Sequence, residues 1–335
     1  MSLVVAVVGA TGLVGREMLR TLEQRAFPTK EVRALASARS AGATLQFRDE
    51  SLQVAAAAPE QFEGVDVALF SAGRSVAREL CPAAAAQGAV VIDNSSGWRM
   101  DPDVPLVVPE VNPEAVKRRP KGIIANPNCS TIQMVVALGP IHELSPIEHI
   151  VVSTYQATSG KGQAAVDELH EQIRALAAGR PVESRVFPSP IAQNVVMDWP
   201  RGDDDWSEEE LKMVHETRKI LEDDNIGVTA TTVRVPVFFG HSESVNVETR
   251  NASSAAEVRA ALEKAPGVAV VDDPAGNRYP LAIDASGQDM TLVGRIRNDE
   301  SIPNAVNLWI VADNIRKGAA TNAVQIAEIL AKEYL

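Results

Sequence analysis

One cysteine and one histidine stand in contexts suited to covalent chemistry. Cys129 closes the run Asn126-Pro127-Asn128-Cys129 and opens an apolar-periodic stretch that continues from Ser130 to about Leu144, which predicts a helix. A thiol at a helix N-terminus meets unpaired N–H groups and the positive end of the macrodipole. Both lower its pKa from the usual ~8.5 and favour the nucleophilic thiolate. The other common fate of a lone cysteine, burial as a small apolar residue, suits Cys81, which sits between Leu80 and Pro82 on a helical stretch. Of the five histidines, His142, His149, His170 and His215 fall in helical or strand-start patterns and read as surface or packing residues. His241 differs. It follows Val233 to Gly240, a strand-like run ending in glycine, which predicts an imidazole presented on a loop, as a general acid/base requires.

A second constellation binds rather than reacts. Gly9-Ala10-Thr11-Gly12-Leu13-Val14-Gly15 lies between the β-branched run Leu3 to Val8 and helical spacing at Leu13, Met18, Leu19 and Leu22. In that strand–turn–helix context the glycines allow a tight turn and close approach of backbone N–H groups to a dinucleotide pyrophosphate. NAD-binding folds place Asp or Glu at the end of the second strand for the ribose 2′-hydroxyl. Here the chain reads Ala36-Ser37-Ala38-Arg39-Ser40, without a carboxylate. Arg39 and Ser40 suit a 2′-phosphate, so NADP is the expected cofactor; a solvated surface arginine is the alternative at that position. A thiolate beside a nicotinamide points to thioester or thiohemiacetal chemistry.

The elements that must position these residues alternate. Strand candidates at Leu3 to Val8, Glu31 to Ala36, Val65 to Phe70, Ala89 to Ile92 and Gly122 to Ala125 are separated by helical stretches or a Pro-rich loop. That order predicts an α/β fold with an N-terminal Rossmann-type parallel sheet over residues 1–128, its ligands at the strand ends. Beyond Cys129 the pattern changes. Strand-like runs at His149 to Gln156, Val228 to Phe238, Leu292 to Ile296 and Val306 to Ala312 accompany helices near Gln163 to Ala178 and Glu208 to Asp223. They predict a second α+β domain over 129–314. The last helix, Lys317 to Tyr334 within segment 315–335, is expected to return to the first domain.

Composition narrows the partners. The 335 residues are 45% hydrophobic and 23% charged, with a formal net charge of -12 and no Lys/Arg-rich run, so neither nucleic acid nor an anionic membrane surface is expected. No stretch approaches the ~20 apolar residues of a membrane span. Two cysteines are too few for a disulfide scaffold, and no Cys/His cluster has zinc-ligand spacing, so no metal is expected and the reducing cytoplasm is the default location.

Taken in order, several segments resemble aspartate-semialdehyde dehydrogenase nearly end to end. They are the glycine loop, Asn126 to Thr131, Tyr155-Gln156-Ala157-Thr158-Ser159-Gly160, Arg234-Val235-Pro236 through His241, Val293 to Arg297, and Asp313 to Gly318. The resemblance implies reduction of L-aspartyl 4-phosphate to L-aspartate 4-semialdehyde and phosphate through a Cys129 thioester, a step feeding lysine, threonine, methionine and diaminopimelate biosynthesis. It implies His241 as acid/base and Gln156 as the residue that orients the acyl group. Arg234 would grip the substrate α-carboxylate, a bidentate task suited to guanidinium. Glu209 would contact the amine, Lys212 and Arg99 the phosphate, and Asn128 the substrate. Cofactor contacts would fall on Gly9, Thr11, Gly12, Leu13, Val14, Gly15, Arg39, Ser40, Ser159, Gly160 and Asn314. The 129–314 domain would be catalytic and would form homodimers, in some members homotetramers.

Plainer readings stand beside these. Ser207 and Glu210 form a capping-box pattern, and Lys212 could pair with Glu208 at i,i+4. Arg99 could be an ordinary loop charge. The nearest enzymatic rival, N-acetyl-glutamyl-phosphate reductase, typically has a Gly-Cys pair where this chain has Asn128-Cys129. A non-catalytic dinucleotide-binding relative would lack the nucleophile.

Overall fold

Strands buried on both faces build the first unit. A computed structural model describes residues 2–251 and 253–334 and divides the chain into two units, Met1–Asn128 with Ala319–Leu335, and Cys129–Gly318. Met1, Ala252 and Leu335 lie outside the described residues. In the first unit, β1 (Leu3–Val8) leads through the glycine loop into α1 (Leu13–Gln24) and β2 (Thr29–Ala36). A small antiparallel hairpin, β3 (Thr44–Phe47) and β4 (Glu50–Gln53), precedes β5 (Ala55–Ala56), β6 (Val67–Phe70), α2 (Arg74–Ala86), β7 (Val90–Asp93) and β8 (Ile123–Ala125). The parallel sheet runs β5-β2-β1-β6-β7-β8. Strand order therefore reverses at β1, and the glycine loop leaves the carboxyl end of β1 at the switch point where such sheets bind ligands.

Sterics explain two of the loop glycines. Gly9 has φ +85°, and a Cβ there would stand 2.3 Å from the Ser71 carbonyl oxygen. A Cβ on Gly15 would stand 2.1 Å from the Gly9 carbonyl oxygen, so α1 can pack this closely only without a side chain.

In the second unit, α3 (Cys129–Leu144) is buried over Ser130 to Gly139 and at Ile141, as expected of a helix apolar all round. It is followed by β9 (Ile147–Gln156), α4 (Gln163–Ala177), α5 (Glu208–Leu221), β10 (Gly227–Arg234), β11 (His241–Thr249), α6 (Ala255–Leu262), β12 (Val268–Val270), α7 (Ala282–Ala285), β13 (Thr291–Asn298) and β14 (Ala305–Ala312). The mixed sheet has the order β10-β9-β11-β14-β13-β12, with β9 parallel to β10 and antiparallel to β11. Alternation along β9 buries Ile150, Val152, Thr154 and Gln156 and exposes Val151 and Tyr155. The chain closes with α8 (Thr321–Glu333), whose Ala323, Val324, Ile326 and Leu330 join the core of the first unit.

The α/β class holds, with local departures. The run expected to continue to Phe238 leaves the sheet at Arg234, because Pro236 has no N–H to give a ladder. The last helix begins later than Lys317, after a π-helical turn at Arg316–Ala320. The β3–β4 hairpin was not expected at all. Gly15→Ala should destabilise the chain by about 1–3 kcal/mol through overpacking; an unchanged urea midpoint would contradict this account of the turn.

Candidate active site

The second unit gathers nine of the residues singled out by sequence. Cys129 is the partly exposed first residue of α3. Gly318, in the π-helical turn, lies so near that a Cβ there would stand 2.9 Å from the Cys129 Cβ. Arg234 ends β10 with 3% exposure. Its Nη1 donates to the Ala157 carbonyl at 2.8 Å, and its guanidinium lies 4.3 Å from the centre of the Trp199 ring. Burial pushes the Arg234 pKa down, and the charges of Glu209, Cys129 and Asp198 oppose that shift. A Cys129 thiolate thus has a cation to face as well as a helix N-terminus.

His241 corrects an expectation. It is not presented on a loop: it is the first residue of β11 and is 0% exposed. Gly240 takes the turn, at φ +89°, and the strand resumes at once. The backbone N–H of Ala157 donates to His241 Nδ1 at 2.9 Å. Burial first, and then the Arg234 charge, bring the imidazole pKa from 6.5 down to about 3, with Glu209 opposing. The ring is therefore neutral near pH 7. Because Nδ1 accepts, its one proton belongs on Nε2, which has no hydrogen-bond partner among the described residues. Gly160 leaves room beside that nitrogen. A Cβ at Gly160 would stand 3.3 Å from His241 Nε2 and 2.7 Å from Arg234 Nη1.

A buried chain of polar groups continues from there. Gln156, at the end of β9, accepts from Thr154 Oγ1 at 3.0 Å and donates through Nε2 to Glu209 Oε1 at 3.1 Å. Lys212 pairs with Glu209 Oε2 at 2.9 Å, one turn along α5, rather than with Glu208. The capping box of Ser207 and Glu210 is present as well, so helix capping and the Glu209–Lys212 pair coexist on one turn. Asn314 Oδ1 accepts the Gly240 N–H at 3.0 Å, and its Nδ2 donates to Ser159 Oγ at 3.0 Å. These two side chains thus tie the turn before His241 to the loop carrying Gly160.

Arg99, Asn128, Arg39, Ser40 and the glycine loop belong to the first unit. The N–H groups of Leu13, Val14 and Gly15, in the first turn of α1, have no intrahelical acceptor, and Thr11 lies on the turn before them. With the Cβ-free surfaces of Gly9 and Gly15, this turn fits a dinucleotide pyrophosphate. Arg39 is exposed in the turn after β2, makes no ion pair among the described residues, and has the half-buried Ser40 beside it. Arg99 is buried and donates from Nη2 to the Asn94 carbonyl at 2.9 Å. Sequence reasoning missed the amide ladder behind it. Asn126 Nδ2 donates to Asn94 Oδ1, and Asn322 Nδ2 donates to Asn126 Oδ1, each at 2.7 Å. Trp199 was missed too; a tryptophan in the long loop between α4 and α5 was its only signal. Among the described residues no cluster has the makings of a metal site, and no helix is long and apolar enough to cross a membrane.

Comparison with known proteins agrees across the whole length. Residues 4–119 match the family described as semialdehyde dehydrogenase, NAD binding domain, and residues 138–317 the one described as semialdehyde dehydrogenase, dimerisation domain. Aspartate-semialdehyde dehydrogenase of Aquifex aeolicus is 55% identical, covering 99% of this chain and 98% of the relative. The structure of aspartate semialdehyde dehydrogenase II complexed with ASA from Vibrio cholerae is 48% identical, covers 100% of both chains and superposes with a TM-score of 0.97. That of aspartate semialdehyde dehydrogenase with NADP from Candida albicans is 26% identical, covers 99% of both and has a TM-score of 0.75.

The neutral imidazole has a consequence for stability. An unfolded chain binds a proton at this histidine near pH 6.5, and the folded chain only near 3. Its contribution is therefore complete above pH 6.5 and is lost as the pH falls through that window. In urea unfolding at pH 7.5 and 4.5, His241→Gln should lose less stability than the parent; equal losses would contradict a neutral buried ring.

Proposed function

The chain belongs to the aspartate-semialdehyde dehydrogenase family of oxidoreductases, and we propose that it reduces L-aspartyl 4-phosphate to L-aspartate 4-semialdehyde and phosphate with NADPH, through a thioester on Cys129. The observation that carries this reading is the convergence of a helix-opening thiol, a buried guanidinium and a neutral imidazole within the second unit. The Cys129 thiolate attacks the acyl carbon, and the C–O bond to phosphate breaks to leave the thioester. A bound nicotinamide supplies the hydride that reduces the thioester. Collapse of the resulting tetrahedral alkoxide reforms the carbonyl and expels the thiolate, ready for another cycle.

Each side chain has a task in that sequence. With its proton on Nε2, His241 acts first as a donor, stabilising the oxyanion that forms at the acyl carbon, while the helix terminus and Arg234 support the thiolate. Gln156, held between Thr154 and Glu209, orients the acyl oxygen. Arg234 binds the α-carboxylate, Glu209 the amine, Lys212 and Arg99 the phosphate, and Asn128 contributes a further substrate contact. The glycine loop from Gly9 to Gly15 would hold the pyrophosphate, Arg39 and Ser40 the 2′-phosphate, and Ser159, Gly160 and Asn314 the nicotinamide end. The exposed, unpaired Arg39 and the NADP in the Candida albicans relative favour NADP over NAD.

The product class places the enzyme in amino-acid biosynthesis toward lysine, threonine and methionine. A thiolate nucleophile needs a reducing compartment, which favours the cytoplasm. The dimerisation-domain match favours a homodimer through residues 138–317, with a homotetramer as the alternative.

Phosphate-dependent reduction of NADP by aspartate semialdehyde, run beside NAD, tests the assignment; activity with N-acetylglutamate semialdehyde alone would overturn it. Cys129→Ser should abolish turnover and retain NADPH binding. His241→Ala should lower kcat by roughly 10²–10⁴-fold, and a change confined to KM would make it a binding residue. Trp199→Ala removes a cation–π contact worth about 1–2 kcal/mol and should raise KM for the semialdehyde roughly five- to thirtyfold, with Trp199→Phe in between. An unchanged KM would separate Trp199 from the guanidinium's task.

A further inference from the structure

Two residues beyond His241, the carboxyl of Glu243 is sealed inside the second unit. It is 0% exposed, and among the described residues neither of its oxygens has a partner within hydrogen-bond geometry. Its strand neighbours in register are Thr154 on β9 and Ile310 on β14. Strand alternation places it on the same face as His241, since side chains two apart share a side of the sheet. A carboxylate with no partner in such a place would cost far more than an ordinary buried polar group. Burial accordingly drives the Glu243 pKa well above the carboxylate range, and the Gln133 side chain, near enough to oppose that shift but outside hydrogen-bond geometry, is the one group that lowers it.

Gln133 comes from α3 and is itself fully buried. Its carboxamide lies beside Glu243, and its Nε2 donates to the His241 backbone carbonyl at 3.3 Å. Its Oε1 accepts from nothing among the described residues. The protein thus leaves an acceptor without a donor next to an acid that can bring one, because a protonated carboxyl gains an O–H that a carboxylate lacks. The imidazole is gripped on its other side by the Ala157 N–H at Nδ1.

We propose that the Glu243 carboxyl donates its O–H to Gln133 Oε1, locking the carboxamide that holds the His241 carbonyl and so fixing where the imidazole Nε2 points. Glu243 touches neither substrate nor cofactor, so it is a positioning residue, and its role rests on the acid/base reading of His241 above. Satisfying all three buried polar groups together gives the cluster its worth, because one missing member leaves the next unpaired.

Four variants and one spectrum test this. Glu243→Leu and Gln133→Leu should each lower kcat about tenfold, the worth of one hydrogen bond, with KM for the semialdehyde within about twofold of the parent. The double Leu variant should lose no more than either single one. Glu243→Gln, whose amide N–H can replace the O–H, should recover most of the lost kcat. Full kcat in Glu243→Leu, or an equal loss in Glu243→Gln, overturns the proposal. The infrared C=O stretch of a protonated carboxyl, present in the parent at pH 8 and absent in Glu243→Gln, decides the matter even where a leucine variant fails to fold; its absence from the parent also overturns it. His241→Ala, measured alongside, separates the two claims. Retained kcat there removes the acid/base reading itself, whereas lost kcat there with full kcat in Glu243→Leu removes only the role of Glu243.

Discussion

A single backbone hydrogen bond, from the Ala157 N–H to His241 Nδ1, sets the tautomer of the buried imidazole in the second unit. By occupying the Nδ1 lone pair, it assigns the ring proton to Nε2 and turns a buried imidazole into a donor. The bond exists because β9 and β11 run antiparallel side by side, with Ser242 opposite Tyr155, so that the residue after β9 meets the residue opening β11. Everything that keeps those strand ends in place serves it. The Asn314 side chain holds the Gly240 N–H, and Ser159 is bonded to Asn314 in turn.

The same enclosure that keeps the imidazole neutral would be hostile to Arg234 without compensation. Its charge is supported by the Ala157 carbonyl, by the face of Trp199, and by Glu209 and Cys129. Removing water raises the strength of each of these contacts while making an unpaired charge more costly. Glu209 is correspondingly bound on both oxygens, by Gln156 and Lys212. Charges of both signs are thus held close together, each limited in where it can move.

How much of this was legible in the sequence depended on range. Leu3 to Val8 announced a buried strand through its unbroken β-branched run, and the apolar stretch after Cys129 announced a buried helix. The β3–β4 hairpin did not, because four-residue strands are too short for alternation to stand out, although Leu45 and Phe47 are buried between exposed neighbours. His241 looked like a loop residue because a strand-like run ends in Gly240 just before it, and the Ser, Glu and Asn of the stretch that follows hide a second strand. Only the register with β9 and β14 shows why they are tolerated there. Asn126 and Asn322 are 196 residues apart, and Trp199 meets Arg234 from a separate loop. No local pattern encodes such meetings; they follow from the packing of whole elements.

The division of the chain has a temporal consequence. The nucleotide-binding unit is interrupted by the entire second unit and is completed by α8, whose Val324, Ile326 and Leu330 lie in its core. During synthesis the inserted unit emerges whole, while its host waits for the final helix to close an open wall, a reversal of the usual order in which N-terminal domains fold first. A message truncated just before Thr321 would still encode Cys129, Arg234 and His241, yet the dinucleotide half would be left with its apolar interior uncovered, a target for chaperones and proteases.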